Sequence, residues 1–123
     1  MRYVCVIIGG GFGALLRYVS TQCITACINN KYPLGTLFVN CIGALLIGFL
    51  TPLFELFSLD SKWKLGVITG FLGGYTTFST YSLETVQYIT NGNIKQAIIH
   101  ILLHNVLGIV CVLLGMKLNT VLL

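Results

Sequence analysis

The stretch GFLGGYTTFSTYSLET, residues 70–85, concentrates hydroxyl groups in a chain that is otherwise largely apolar. Two adjacent glycines are followed by seven hydroxyl side chains, those of Tyr75, Thr76, Thr77, Ser79, Thr80, Tyr81 and Ser82. Polar groups inside a membrane span are costly, and those found there usually face a bundle interior or a water-filled route. The stretch therefore marks the third apolar segment of the chain as the candidate for function.

The composition predicts an all-α membrane protein. Hydrophobic residues make up 56% of the 123 residues and charged residues 8%, whereas a soluble domain carries about 25% charged residues. The length fits one domain of about 100–200 residues. We expect residues 1–123 to form a single transmembrane domain whose surface contacts membrane lipid.

Four segments have the length of a transmembrane helix, which needs about 20 mainly apolar residues. They cover about residues 3–28, 34–57, 65–90 and 96–121. The connections NNKYPLG, SLDSKWK and TNGNIK carry the turn-forming and charged residues. The chain is therefore predicted to cross the membrane four times.

The charge pattern excludes a nucleic-acid partner and barely selects an orientation. The net charge of +4 comes from scattered single bases, whereas a nucleic-acid binder clusters them on one face. With both termini inside, the inner bases are Arg2, Lys62, Lys64 and Lys117, and the outer bases are Lys31 and Lys95. Because positively charged loops favour the inside, this weak bias leaves insertion in both orientations open.

Signatures of enzymes are lacking in the sequence. VCVIIGGGFGA resembles a dinucleotide-binding pattern through Gly9, Gly11 and Ala14, but that site also needs an acidic residue about 20 positions further on. The first acidic residue is Glu55. No G-x-S-x-G elbow accompanies the serines and histidines. We therefore expect the protein not to be an enzyme.

Small residues predict close helix contacts. Gly9 and Gly13 are four residues apart in the first span, and Gly66, Gly70 and Gly74 continue the same spacing in the third. Such spacing lets two helix backbones approach closely, which is compatible with packing inside one chain or between chains. Four short helices can hardly enclose a route alone, so we expect a homodimer.

The third span is predicted to be broken near its middle. Gly73 and Gly74 weaken the helix, and the hydroxyl groups of Thr76 and Thr77 can bond the backbone groups that a broken turn frees. Unwound carbonyl oxygens at membrane depth bind cations such as sodium. The break is therefore a candidate site for a structural sodium ion.

Beyond the break, the side chains suit a small anion. Phe78 and Tyr81 are three residues apart and share a helix face, with Ser79 and Thr80 alongside. Aromatic rings have positive edges, so ring edges and hydroxyl donors can replace the water shell of an anion. An aromatic packing pair, with hydroxyl groups bonded to their own helix, is the alternative.

Residues of the other three spans add to this picture. Asn40 places an amide in the apolar second span, where it can serve an ion or bond another helix. Arg17 lies about 21 Å along the first helix from Tyr3 at 1.5 Å per residue, so its charge must pair, reach the surface or face water. His100 and His104 are four residues apart in the fourth span without an evident third metal ligand, which favours a packing role.

Three motifs together resemble the Fluc (CrcB) family of fluoride channels over nearly the whole chain. They are GGGFGALLRY in the first span, GTLFVNCIG in the second and GFLGGYTTFSTYSLE in the third. The resemblance implies a homodimer of antiparallel subunits inserted in dual topology, with two fluoride pores and a central sodium ion. It also implies the cell membrane of a prokaryote.

The resemblance assigns pore roles to residues of the second and third spans. Phe78 and Tyr81 occupy the two aromatic positions whose ring edges line the pore, and Asn40 is the pore asparagine. Ser79 and Thr80 fall on the polar track. The second aromatic position is usually phenylalanine in this family, so the Tyr81 hydroxyl group is a departure that can donate to the ion or to a neighbour.

The resemblance further implies a sodium site and a vestibule. Gly73 and Thr76 match the positions whose backbone carbonyls hold sodium, once from each subunit. Arg17 matches an arginine that attracts anions to the vestibule or steadies the dimer. In the fourth span, His104 or Asn105 is a candidate for the pore wall.

We therefore predict a passive, fluoride-selective channel that exports fluoride from the cytoplasm. A proton-coupled small multidrug transporter is an alternative, because it also uses four helices in dual topology. That mechanism relies on a glutamate in the first span, where this chain has Arg17 and no acidic residue. A non-conducting membrane assembly protein is the other alternative.

Overall fold

A computed structural model describes residues 1–28 and 32–123, and these residues are all-helical. In chain order the elements are α1 (Arg2–Ile28), α2 (Leu34–Leu56), α3 (Ser61–Lys64), a π-helix (Leu65–Leu72), α4 (Gly73–Tyr75), α5 (Phe78–Thr90) and α6 (Ile94–Leu122). The predicted all-α class is confirmed. Lys31, counted above among the outer bases, lies outside the described residues.

Three helices of the described chain are long and apolar enough to cross a membrane, namely α1, α2 and α6. The third predicted span is instead divided among the π-helix, α4 and α5, and the short α3 precedes it. Large apolar side chains are exposed along the outer faces of α1 and α6. Exposed apolar surface of this extent is typical of a protein whose helices face lipid or another subunit.

The predicted break in the third span lies at Thr76 and Thr77. Thr76 (φ −86°, ψ 161°) and Thr77 (φ −150°, ψ 122°) have extended backbones between α4 and α5. The break therefore falls after the two glycines, and Gly73 itself stays helical with φ −63° and ψ −35°. The preceding π-helix was not foreseen, since periodicity does not separate it from an α-helix.

The glycines of the first and third spans bring α1 against the π-helix and α4 within one chain. A methyl group added at Gly13 would overlap the carbonyl oxygen of Phe71, and one added at Gly74 would overlap that of Gly10. Gly9 is similarly closed by the Gly66 carbonyl oxygen. The small-residue spacing therefore serves packing within one chain, and it fixes α1 beside the break.

A second close pair, α2 and α6, supports the other side of the bundle. Gly115 lies against the Leu45 carbonyl oxygen, and Gly48 lies against that of Val112. Near the end of this pair, the buried Asn119 side chain donates from Nδ2 to the Phe49 carbonyl oxygen at 3.0 Å. This interhelical bond lies close to Pro52, which has no N–H to donate within α2.

We expect Gly115→Ala to destabilise the protein by about 1–3 kcal/mol, because overpacking forces closely packed helices apart. Gly108→Ala on the same helix is the matched control, since no atom lies within 4 Å of its added methyl group. Thermal unfolding in detergent compares the two variants with the parent. Equal melting temperatures for both variants would contradict the close α2–α6 contact.

Candidate functional site

The Thr77 hydroxyl group satisfies a backbone atom that the break frees. Thr77 Oγ1 accepts from the backbone N–H of Thr80 at 3.2 Å and so forms the N-cap of α5. Thr76 Oγ1 donates to the Leu72 carbonyl oxygen at 3.0 Å. The expectation that hydroxyl groups bond freed backbone groups is confirmed for Thr77. The Thr76 hydroxyl group instead adds a second bond to a carbonyl oxygen that already accepts from the Thr76 backbone N–H.

Asn40 of α2 holds the break through both ends of its amide. Its Nδ2 donates to the Thr77 carbonyl oxygen at 3.0 Å, and its Oδ1 accepts from the Thr77 backbone N–H at 2.8 Å. The interhelical bond considered for Asn40 is therefore present. Because an amide nitrogen has two hydrogens, one N–H of Asn40 is still available beside the cavity described below.

Arg17 of α1 holds the break from the opposite side. Its Nη1 donates to the Thr76 carbonyl oxygen at 3.1 Å. The guanidinium group has five N–H donors in a fixed fork, so this bond leaves others for a solvent-borne or bound anion. Within this chain, Arg17 therefore supports the unwound backbone in addition to placing a positive charge next to it.

The break also frees the carbonyl oxygens assigned to sodium. In a continuous helix, the N–H of Thr77 would bond the Gly73 carbonyl oxygen, and the N–H of Thr80 would bond that of Thr76. These two N–H groups bond the Asn40 amide and the Thr77 hydroxyl group instead. The Gly73 oxygen is thereby released, while the Thr76 oxygen accepts from Arg17.

Most of the predicted site residues line one cavity of about 640 Å³ beside the break. These lining residues are Asn40, Gly73, Thr76, Phe78, Tyr81, His104 and Asn105. The sequence-based assignments to three different spans thus converge on the same space. Phe78, with 79% of its surface exposed, stands at the open side of the cavity.

The two aromatic residues form a tilted pair. The ring centroids of Phe78 and Tyr81 are 5.5 Å apart, with an angle of 52° between the planes. Tyr81 also packs on the His104 ring at a centroid distance of 4.6 Å. Packing on α6 therefore fixes the Tyr81 ring, while the Phe78 ring is open to the surface of the chain.

The Tyr81 hydroxyl group is oriented by Asn105. Nδ2 of Asn105 donates to the Tyr81 oxygen at 3.3 Å and to the Ile101 carbonyl oxygen at 2.8 Å. Both hydrogens of this amide nitrogen are thus engaged. Because the Tyr81 oxygen accepts from Asn105, its own hydrogen is available to donate into the cavity.

Thr80 and Ser79 lie away from this cavity. Thr80 lines a second, polar cavity of about 340 Å³ together with Arg17, Thr36, Thr77 and Glu84. Ser79 is exposed, and its Oγ lies 3.3 Å from Thr77 Oγ1. The structure therefore places polar groups on two sides of the start of α5, rather than along a single track.

A cluster around Glu84 was missed by the sequence analysis. Thr36 Oγ1 donates to Glu84 Oε1 at 2.6 Å, and Glu84 Oε2 lies 3.5 Å from His100 Nε2. The signal that could have predicted this cluster was Glu84 within the third apolar segment together with the pair His100 and His104 within the fourth. Among residues 1–28 and 32–123, no group of three or more His, Cys, Asp or Glu residues is arranged to hold a metal ion.

Apolar helices around a polar break and a half-open cavity define a multi-pass helical membrane protein. Residues 4–116 match the family model described as CrcB-like protein, Camphor Resistance (CrcB). This chain belongs to the CrcB family, and the resemblance carried by the three sequence motifs is confirmed.

Relatives from several bacteria are described as "Fluoride-specific ion channel FluC". One from Hydrogenobaculum sp. is 47% identical over 116 residues, which cover 94% of both chains. One from Clostridium perfringens is 42% identical over 120 residues, covering 94% of this chain and 91% of the relative. One from Acidobacterium capsulatum is 39% identical over 117 residues, covering 94% of both.

We expect Asn40→Leu to lower the free energy of unfolding by about 2–3 kcal/mol, because it leaves the N–H and C=O of Thr77 unpaired away from water. Asn105→Leu is the control, since the exposed Asn105 bonds, within residues 1–28 and 32–123, only its own helix and Tyr81. Chemical unfolding in detergent gives both values. If Asn40→Leu loses no more unfolding free energy than the control does, the stabilising role of the two bonds between Asn40 and Thr77 is contradicted.

Proposed function

We propose that this protein is a passive channel selective for fluoride. The observation that carries the proposal is the convergence of donors from α2, α5 and α6 on one cavity, in a chain that belongs to the CrcB family. The relatives described as fluoride-specific channels match nearly the whole chain. Membership of this family also favours a protein that transports a solute over an enzyme.

Fluoride would shed its water shell onto groups that donate a hydrogen or present a positive ring edge. The remaining N–H of Asn40, the O–H of Tyr81 and the ring edge of Phe78 border the same cavity. Donors fixed in place compensate the dehydration of a small ion at little cost of reorganisation. Chloride, which is larger, gains less from a narrow path of this kind.

Arg17 and Thr80 would serve the ion on the other side of α5. They line the second polar cavity, where the guanidinium group supplies the positive charge. A charge beside low-dielectric walls raises the local concentration of the opposite ion. We assign this cavity the role of a vestibule. Ser79 would lie at its margin, because the Ser79 Oγ is 3.3 Å from Oγ1 of Thr77, which lines the cavity.

The functional unit is proposed to be an antiparallel homodimer with two pores. Within one subunit the cavity is half-open, with Phe78 and Gly73 exposed at its margin. A second copy in the opposite orientation would close the cavity and bring a second break alongside the first. The small difference in basic residues between the two sides of the membrane permits both orientations.

A structural sodium ion fits the break, in part. The Gly73 carbonyl oxygen has lost its helical donor, and the Thr76 oxygen retains one lone pair beyond its bond to Arg17. These oxygens, one pair from each subunit, would hold the ion. When bound, sodium supplies a positive charge that ties the two broken helices together. The nearby Arg17 charge opposes this binding, so more than one pair of oxygens is needed.

The direction of flux would follow the electrochemical gradient of fluoride. We place the protein in the plasma membrane of a prokaryote, where a negative interior drives anions outward. The alternative of a proton-coupled multidrug transporter has no support from α1. The charged residue within that span is Arg17, whereas such a transporter needs an acidic residue there. Fluoride export is therefore the proposed physiological role.

Fluoride efflux from liposomes tests the proposal directly. Purified protein is reconstituted, the voltage is set with potassium and valinomycin, and a fluoride electrode follows release, with chloride as the comparison ion. Rapid fluoride release with negligible chloride release is expected. No release from folded dimers would refute the channel and favour the assembly protein.

Phe78→Ile should reduce fluoride efflux while the dimer stays assembled, because it removes a ring edge and keeps an apolar side chain. Phe38→Ile is the control, since Phe38 is exposed on α2 away from the described cavities. Efflux and size-exclusion profiles are compared for both. Unchanged efflux in Phe78→Ile would remove Phe78 from the pathway.

Tyr81→Phe should raise the half-saturating fluoride concentration about fivefold, because it removes one hydrogen bond worth about 1 kcal/mol and keeps the ring. Asn105→Leu should have a smaller effect alone and none when added to Tyr81→Phe, since Asn105 acts through the Tyr81 hydroxyl group. Efflux measured over a range of fluoride concentrations provides these values. Additive effects would contradict this dependence.

A further inference from the structure

Glu84 and His100 form a buried pair next to the proposed vestibule, and the proposed pathway gives neither side chain a role. The His100 residue is 8% exposed, and the Glu84 side chain is 16% exposed. Glu84 Oε2 and His100 Nε2 face each other at 3.5 Å, and neither atom has a hydrogen-bond partner within the described parts of the chain. Buried polar groups are rarely left in this condition, so the gap points to a ligand shared between them.

The ligand that fits a gap of this size is a proton. The acceptor that faces the imidazole is the Glu84 carboxylate oxygen Oε2, at 3.5 Å from His100 Nε2. A neutral imidazole has one N–H, whereas the imidazolium has two. The imidazolium always carries a proton on Nε2, so an added proton guarantees the N–H that faces Glu84, while burial disfavours a charge on either partner alone.

The surroundings supply no other ionised partner for this pair in the described residues. Glu84 Oε1 accepts from Thr36, and the Arg17 guanidinium lines the same cavity as Glu84 but is bonded to the Thr76 carbonyl oxygen. The remaining titratable groups around the pair are Tyr32 before α2, Tyr81 and Tyr88 on α5, and His104 on α6.

We propose that Glu84 and His100 together bind one proton, and that this proton controls the passage of anions past α5. The site takes its proton from the polar cavity that Glu84 shares with the surface residues Asn91 and Asn93. The part concerning anion passage rests on the proposed channel function. The proton site itself does not.

Proton binding changes the charge of the pair from −1 to zero. Glu84 lines the vestibule together with Arg17 and Thr80, and the His100 ring stacks on Tyr81 at a centroid distance of 5.4 Å. Charges in such a low-dielectric setting act over longer distances than in water. The unprotonated pair therefore repels an anion at the vestibule, and fluoride efflux rises as the pH falls and the pair gains its proton.

Imidazole titration by NMR tests the proton site without reference to conduction. The chain has two histidines, so ¹⁵N-histidine labelling of a His104→Gln variant, purified without a histidine tag, leaves His100 as the single signal. Glu84→Gln added to this variant should lower the pKa of His100 by about one unit, a tenfold change in proton affinity. An unchanged titration would overturn the proposal.

Glu84→Asp provides a second route if Glu84→Gln does not fold. It keeps the negative charge and withdraws the carboxylate by one methylene, so the pKa of His100 should fall by less than in Glu84→Gln. Thr36→Val removes the hydrogen bond that holds the Glu84 carboxylate, so it should also change the His100 titration. If the His100 titration is unaltered in both folded variants, Glu84→Asp and Thr36→Val, the shared proton is equally refuted.

Efflux across a pH series tests the consequence for fluoride. Between pH 8.5 and pH 6, efflux through the parent protein should rise about tenfold if the pair controls the vestibule, because proton binding removes the negative charge that repels the anion. A tenfold rate change corresponds to about 1.4 kcal/mol. His100→Gln should remove this dependence. Lys117→Gln, which changes an exposed charge near the end of α6, is the control. Protein-free vesicles correct for leakage of the undissociated acid.

The two tests separate the proposals. A coupled His100 titration without efflux at any pH would keep the proton site and refute the channel. Efflux with an uncoupled titration would keep the channel and refute the proton site. A coupled titration with pH-independent efflux would refute the control of anion passage.

Discussion

The extended backbone at Thr76 and Thr77 is the constraint on which the rest of this structure depends. An unwound segment between two half-helices exposes N–H and C=O groups that lipid cannot bond, so protein groups must do so. Asn40 bonds both polar groups of Thr77, Arg17 bonds the carbonyl of Thr76, and the Thr77 hydroxyl group caps α5. The break therefore exists because α1 and α2 are held beside it.

Glycine contacts make that arrangement possible. Gly13 and Gly74 let α1 lie against the third segment at backbone distance, which puts the Arg17 side chain within reach of the break. On the other side, Gly48 and Gly115 bring α6 against α2, so that α6 can face Tyr81. The polar site therefore depends on close helix packing. A longer distance between the helices would leave the backbone groups freed by the break without hydrogen-bond partners.

The start of α5 divides the polar groups between two cavities. Tyr81 and Asn105 belong to the larger one, and Arg17 and Glu84 belong to the vestibule. His100 contacts the Tyr81 ring and lies beside Glu84, so it connects the two sides. A proton held there changes the electrostatic potential of both cavities without moving the backbone. The hydroxyl-rich sequence of α5 therefore has two structural tasks, which are capping and the lining of two separate surfaces.

The sequence by itself determined the all-α membrane class, the apolar segments, the break within the third segment and the family, because these follow from composition, local spacing and contiguous motifs. Tertiary structure alone decided that Asn40 bonds Thr77, that Arg17 bonds Thr76 and that Glu84 faces His100. It also separated Thr80 from the larger cavity. These pairings join residues distant in the chain. Local patterns do not encode them, because the choice of partner depends on how closely the helices pack and on which backbone groups the break leaves free.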